Sequence, residues 1–304
     1  MNRKSVPVFL LLLLVPALVQ AQADNFDRLL PHVRYFRSPF ADPLEPHLGV
    51  GLLKTNIFRI APEGRERPRP FFIPDPDDAA MDVNAVTAIG GTLPWWHIKQ
   101  WADGGIVMGV TAGVTNRFRI EYPTREEVSA DWFVGGPFEF RKGDWSGRFR
   151  FMHRSSHLGD ELVETTGAAR VEVGGEYVDF MVARDFNAAT RVYGGASWIF
   201  RSYTQALPVM LAADRKDLTV VQVGAETGWY PWLNGRLGWI AGADYRRAQR
   251  TDWKNSFATA AGLSVKTPTR GARLMVRYFS GLSLLDQFFL TPEKYWSLEL
   301  ITDF

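Results

Sequence analysis

A chain of 304 residues with a formal net charge of +2 and no cysteine is long enough to bury a sizeable interior. It has no disulfide framework or thiolate chemistry, and its charge gives no reason to expect nucleic acid or another strongly charged partner. Beyond the first residues no apolar run approaches the roughly 20 residues of a membrane helix, so entry into a membrane would require a closed barrel with every strand edge paired.

At the N-terminus, Arg3 and Lys4 precede an apolar stretch from Val8 to Leu18, followed by small-residue cleavage sites at Val19-Gln20-Ala21 or Ala21-Gln22-Ala23. This is the layout of a secretory signal peptide over 1–23, whose removal leaves 33 basic and 33 acidic residues. Residues 24–47 are then expected as a periplasmic N-terminal segment, and 48–304 as an outer-membrane β-barrel. Strands are predicted near 48–60, 82–98, 105–118, 130–141, 145–156 and 170–184. The stretch from Pro62 to Asp78, rich in proline and charge, reads as the first extracellular loop.

From residue 190 onward the period of two recurs strand after strand. Val192, Ala196, Trp198 and Phe200 share one face, opposite Arg191, Tyr193, Ser197 and Arg201. Further strands follow near 217–229, 235–247, 256–266 and 271–279, each with an apolar face opposite one of charge or glycine. The last strand alternates Trp296, Leu298 and Leu300 with Ser297 and Glu299, Ile301 being the exception, and ends on Phe304. The expected fold class is therefore all-β: a transmembrane antiparallel barrel of about 12 strands with both ends on the periplasmic side. Short connections, such as Lys142–Asp144 and Pro231–Asn234, alternate with longer ones near 157–169 and 204–216. That alternation matches periplasmic turns and extracellular loops. The terminal strand resembles the recognition signal of the outer-membrane assembly machinery, which implies that machinery as a partner through Phe304 and the outer membrane of a Gram-negative-type bacterium as the location. Lipid and lipopolysaccharide are the other expected partners.

One segment carries chemical potential: Phe149-Arg150-Phe151-Met152-His153-Arg154-Ser155-Ser156-His157. In a strand, His153 and Ser155 share a face with Phe149 and Phe151, and therefore the barrel exterior near the outer-leaflet boundary. The pair resembles the His-x-Ser motif of outer-membrane phospholipase A and of the lipid A deacylases. That resemblance implies Ser155 as nucleophile and His153 as base, oriented by Glu172 or Glu176 on the next strand or by Glu164. Gly167, rather than Asn or Glu, stands twelve residues after Ser155, which departs from both families. The structural alternative is a pair of interfacial polar residues. Asp160, Glu161 and Glu164 are candidate calcium ligands with headgroup oxygens, or three solvated carboxylates; no other cofactor is implied. His32, His47 and His97 have no metal-ligand spacing. The lumen arginines either select anions or pair with carboxylates such as Glu226, Asp244 and Glu299.

Phe36-Arg37-Ser38-Pro39-Phe40-Ala41-Asp42-Pro43, then His153 to Glu161, then Arg191-Val192-Tyr193-Gly194-Gly195, together resemble a bacterial family catalogued only as a domain of unknown function, family 1207 of that series. The resemblance implies an outer-membrane protein and gives no activity. Three functions remain: a non-catalytic barrel (narrow pore or envelope assembly partner), which the arginine-rich face favours; an interfacial acyl hydrolase; and a soluble periplasmic barrel around an apolar ligand.

Overall fold

A computed structural model describes residues 31, 33–56, 82–120, 126–166, 173–204, 218–267, 271–289 and 291–303. The expected signal peptide and Phe304 lie outside the described residues. Alternating polarity produces twelve strands: β1 (Leu48–Thr55), β2 (Asp82–Trp101), β3 (Gly104–Arg119), β4 (Glu127–Lys142), β5 (Trp145–Leu158), β6 (Val173–Asp185), β7 (Arg191–Thr204), β8 (Leu218–Trp232), β9 (Leu237–Ala248), β10 (Asn255–Lys266), β11 (Gly271–Leu282) and β12 (Pro292–Asp303). Each pairs antiparallel with its neighbours in sequence, and β1 closes the barrel on β12 from Leu48↔Thr302 to Thr55↔Tyr295. Closure removes every edge, which a lipid-embedded sheet requires.

Connections at one end are short: residues 102–103, 143–144, 186–190 and 233–236. The other end carries the longer ones, including α1 (Asp160–Thr166) and residues 283–291. These are called the turn end and the loop end below. Prolines within strands sit where a ladder is interrupted. The β2–β3 register shifts after Pro94, and Pro137 lies where the β3–β4 ladder skips from Met108↔Phe138 to Thr111↔Gly135.

The two faces divide as the alternation predicts. Val192, Trp198, Val223, Leu274, Val276, Trp296 and Leu298 are exposed on the outer wall, while Arg191, Glu226, Asp244, Arg277 and Glu299 are buried inside. A soluble barrel would show the opposite distribution. Ile301, the exception to the alternation, fills the lumen with Ile240, Ala260 and Met275. On β5, Trp145 is ten residues from Ser155, which pairs with Trp132 of β4. At about 3.3 Å per residue and a tilt of about 40°, the two tryptophan levels are roughly 25 Å apart, the height of an outer-membrane apolar band.

Candidate functional site

Residues 24–47 were expected as a periplasmic N-terminal segment. The described part, 33–47, instead runs inside the lumen. Pro39, Pro43 and Pro46 keep it from forming a helix or joining a ladder, so its backbone groups need partners from the wall. Glu139 of β4 accepts from Arg34 Nε at 3.1 Å and from the backbone N–H groups of Tyr35 and Phe36 at 3.0 and 3.2 Å. Glu226 of β8 accepts the Ala41 N–H at 3.1 Å. Arg191 of β7 donates to the Arg37 carbonyl at 2.6 Å, and Arg277 of β11 donates to the Ala41 and Phe40 carbonyls at 2.8 and 3.1 Å. The plug is thus recognised largely through its main chain.

Three side chains fix its depth. The Phe36 ring is fully buried against Met181, Ala183 and Tyr193, with the Arg148 and Arg191 guanidinium groups 4.9 and 5.6 Å from its centre. Asp42 accepts from Gln222 and Arg246, each at 2.9 Å. Glu45 accepts from Arg148 at 3.1 Å and lies 3.5 Å from Arg150. Burial alone would raise the Glu45 carboxyl's pKa, but Arg148 and Arg150 reverse the sign and hold it well below the ordinary carboxylate range.

At the loop end a second segment packs inward. Leu285 and Phe288 pack on Val128 and Leu162, joining the β11–β12 connection to β4 and α1. Asp286 pairs with Arg154 and Arg250, both at 2.8 Å, and Gln287 donates to the Ser156 carbonyl at 2.7 Å. Between plug and cap lies a cavity of about 240 Å³, lined among others by Arg117, Arg154, Arg246, Tyr177 and Phe289. At liquid density it has room for roughly eight waters. The wall arginines pair as expected: Arg191 with Glu226 at 2.7 Å and Arg277 with Glu299 at 3.0 Å. Asp244 departs from that expectation, accepting from Tyr193 at 2.8 Å and Gln222 at 2.6 Å.

On the exterior, His153 and Ser155 share the outer face of β5 with the exposed Phe149 and Phe151. His153 pairs directly with Glu176 of β6, its Nδ1 being 3.5 Å from Oε1, and Arg201 Nε lies 3.9 Å from the other carboxylate oxygen. Among the described residues no hydrogen bond joins Ser155 to His153. Glu172 lies outside the described residues, so Glu176 is the carboxylate seen beside the histidine. Asp160, Glu161 and Glu164 are exposed on α1, two of them in its first turn, where the helix dipole favours negative charge. Among the described residues no group of three His, Asp or Glu is placed to hold a metal ion.

The fold and its outer belt define a closed twelve-strand barrel of the kind found in outer membranes. The chain belongs to the family described as "Protein of unknown function (DUF1207)", whose model matches residues 77–304. No curated protein matches it. Among solved structures it is similar to outer membrane phospholipase A from Escherichia coli, at 11% identity and a TM-score of 0.51 over 88% of this chain and 94% of that one. It is also similar to the transport unit of the autotransporter AIDA-I from Escherichia coli, at 10% identity and a TM-score of 0.50 over 88% and 93%. A porin, KdgM in complex with disordered oligogalacturonate, matches at 8% identity and a TM-score of 0.43 over 84% and 99%. At these identities the likeness is one of fold.

Proposed function

We propose that the chain is exported after cleavage of residues 1–23, resides in the outer membrane with its loop end outward, and acts without catalysis as a narrow, plugged barrel. One observation carries this reading: residues 33–47 occupy the lumen through wall contacts to their main chain, and the β11–β12 connection packs inward at the opposite end. Passage of solute then depends on displacing the plug. In planar bilayers the wild type is expected to show at most brief, small conductance. The double variant Asp42→Asn/Glu45→Gln, which weakens the plug's pairs with Arg246 and Arg148, should raise the open probability at least tenfold. A large, steady conductance from the wild type would contradict a plugged lumen.

A second reading has one observation in its favour: Glu176 stands 3.5 Å from His153 on the face that carries Ser155. A serine with an adjacent base and an orienting carboxylate is the arrangement of an acyl hydrolase, and apo sites often tighten only around substrate. Acyl release from phospholipid by the folded protein, abolished in Ser155→Ala, would replace the non-catalytic reading with this one.

A further inference from the structure

On the far side of the barrel from His153, two cations meet at the rim of the apolar belt. Lys54 is the penultimate residue of β1 and lies opposite Trp296 of β12; Lys294 is two residues from Trp296 on the same outward face. The two lysines are therefore diagonal neighbours, with Cβ atoms roughly 7 Å apart. The Trp296 ring lies against Tyr278 of β11, centroids 4.8 Å apart and tilted by 44°, which gives the pair an aromatic floor. Asn56 and Ser280 flank it: Asn56 Oδ1 accepts the Lys294 N–H at 2.8 Å, and Ser280 is the cross-strand partner of Lys294.

Several arginines have carboxylate partners, whereas other cations such as Lys142, Arg236 and Lys254 have none among the described residues. Arg148 has Glu45 and Asp179, Arg277 has Glu299, and even on the outer wall Arg201 approaches Glu176. Among the described residues neither Lys54 nor Lys294 has a carboxylate partner. Two like charges this close repel, and an anion seated between them would relieve that repulsion. Directly below them, Val50, Leu52, Trp296, Leu298 and Leu300 form an exposed apolar column. Acyl chains against that column would bring a headgroup phosphate level with the two ammonium groups, which snorkel toward the boundary on flexible stems.

We propose that Lys54 and Lys294, with Trp296 and Tyr278, form a binding site for a phosphate of the outer-leaflet glycolipid, lipopolysaccharide. The assignment rests on the membrane reading above, in which the loop end faces outward. A phosphate can be held between two neighbouring ammonium groups, and the apolar column beneath faces its acyl chains.

The test uses the full chain refolded in detergent, titrated with lipopolysaccharide, with enzymatically dephosphorylated lipopolysaccharide and with phosphatidylglycerol, and read by native mass spectrometry. Each lysine near an anionic lipid is worth roughly a factor of five, so Lys54→Gln/Lys294→Gln should bind lipopolysaccharide about 25-fold more weakly, with each single variant between. Wild-type protein should show a similar loss toward the dephosphorylated glycolipid. Retained affinity in the double variant would overturn the site, and equal affinity for phosphatidylglycerol would overturn its assignment to the glycolipid. Heat-dependent gel migration verifies that each variant is folded. A wild type that stays soluble without detergent would overturn the membrane reading itself, a failure distinct from either of those.

Discussion

Glu45 joins electrostatics to closure. Its folded pKa is depressed below the ordinary 4.5 because Arg148 and Arg150 outweigh the effect of burial. A carboxylate with a depressed folded pKa contributes stability that is fully present above the unfolded value and is lost as pH falls through the folded one. The Glu45 contribution is therefore intact at pH 7 and fades below about 4.5. Asp286 in the cap shifts in the same direction, with burial opposed by Arg154 and Arg250. Protease protection of the N-terminal segment should hold at pH 5 and decline below pH 4. Glu45→Gln should lose protection already at neutral pH, since removing one partner of a buried pair costs about 3 kcal/mol. Unchanged protection in that variant would show that Glu45 does not anchor the plug. The His153 and Ser155 pair was legible from sequence because two residues of a strand two apart must share a face. Glu176 became its partner only through the β5–β6 register, which sequence spacing leaves open.

The strands themselves were almost wholly legible, and for a physical reason. Each crosses from lumen to lipid with a period of two, so Trp296-Ser297-Leu298-Glu299-Leu300 states its own orientation. Ends were less clear: β8 continues through Tyr230 to Trp232, beyond the expected 229, because the aromatic girdle extends past the alternation. The plug was not legible. Its partners lie 103 residues away at Arg148 and 236 at Arg277, and an extended segment held through its main chain leaves no periodic mark. The signal that was present is compositional: Phe36 and Phe40 are large apolar residues in a stretch read as a periplasmic segment. The β8–β9 turn carries a local conflict. Leu233 and Asn234 both have left-handed φ, 51° and 54°, and leucine has no local hydrogen bond to offset that conformation. Leu233→Asn should therefore stabilise the barrel by about 0.5–1 kcal/mol in urea-induced unfolding, as asparagine suits such turns. A destabilised variant would mean that the exposed Leu233 side chain anchors the turn end in lipid.

At the scale of the whole molecule, the outer wall offers lipid an apolar belt while the lumen holds a charge network, a plug and a cap. The buried ion pairs are weak evidence for stability, because desolvation consumes much of their attraction; their better-supported role is to fix where the plug docks. The most direct test uses the absence of native cysteine. A Cβ at Gly242 of β9 would lie 3.1 Å from the Ala41 Cβ, a few tenths of an ångström closer than a disulfide needs, so a small outward shift of the segment suffices. In Ala41→Cys/Gly242→Cys the account predicts that mild oxidation closes one intramolecular disulfide in nearly every folded molecule. That bond should abolish any remaining conductance, which a reductant should restore. Folded barrels whose two thiols stay free under oxidation would place residues 33–47 outside the lumen and contradict the account.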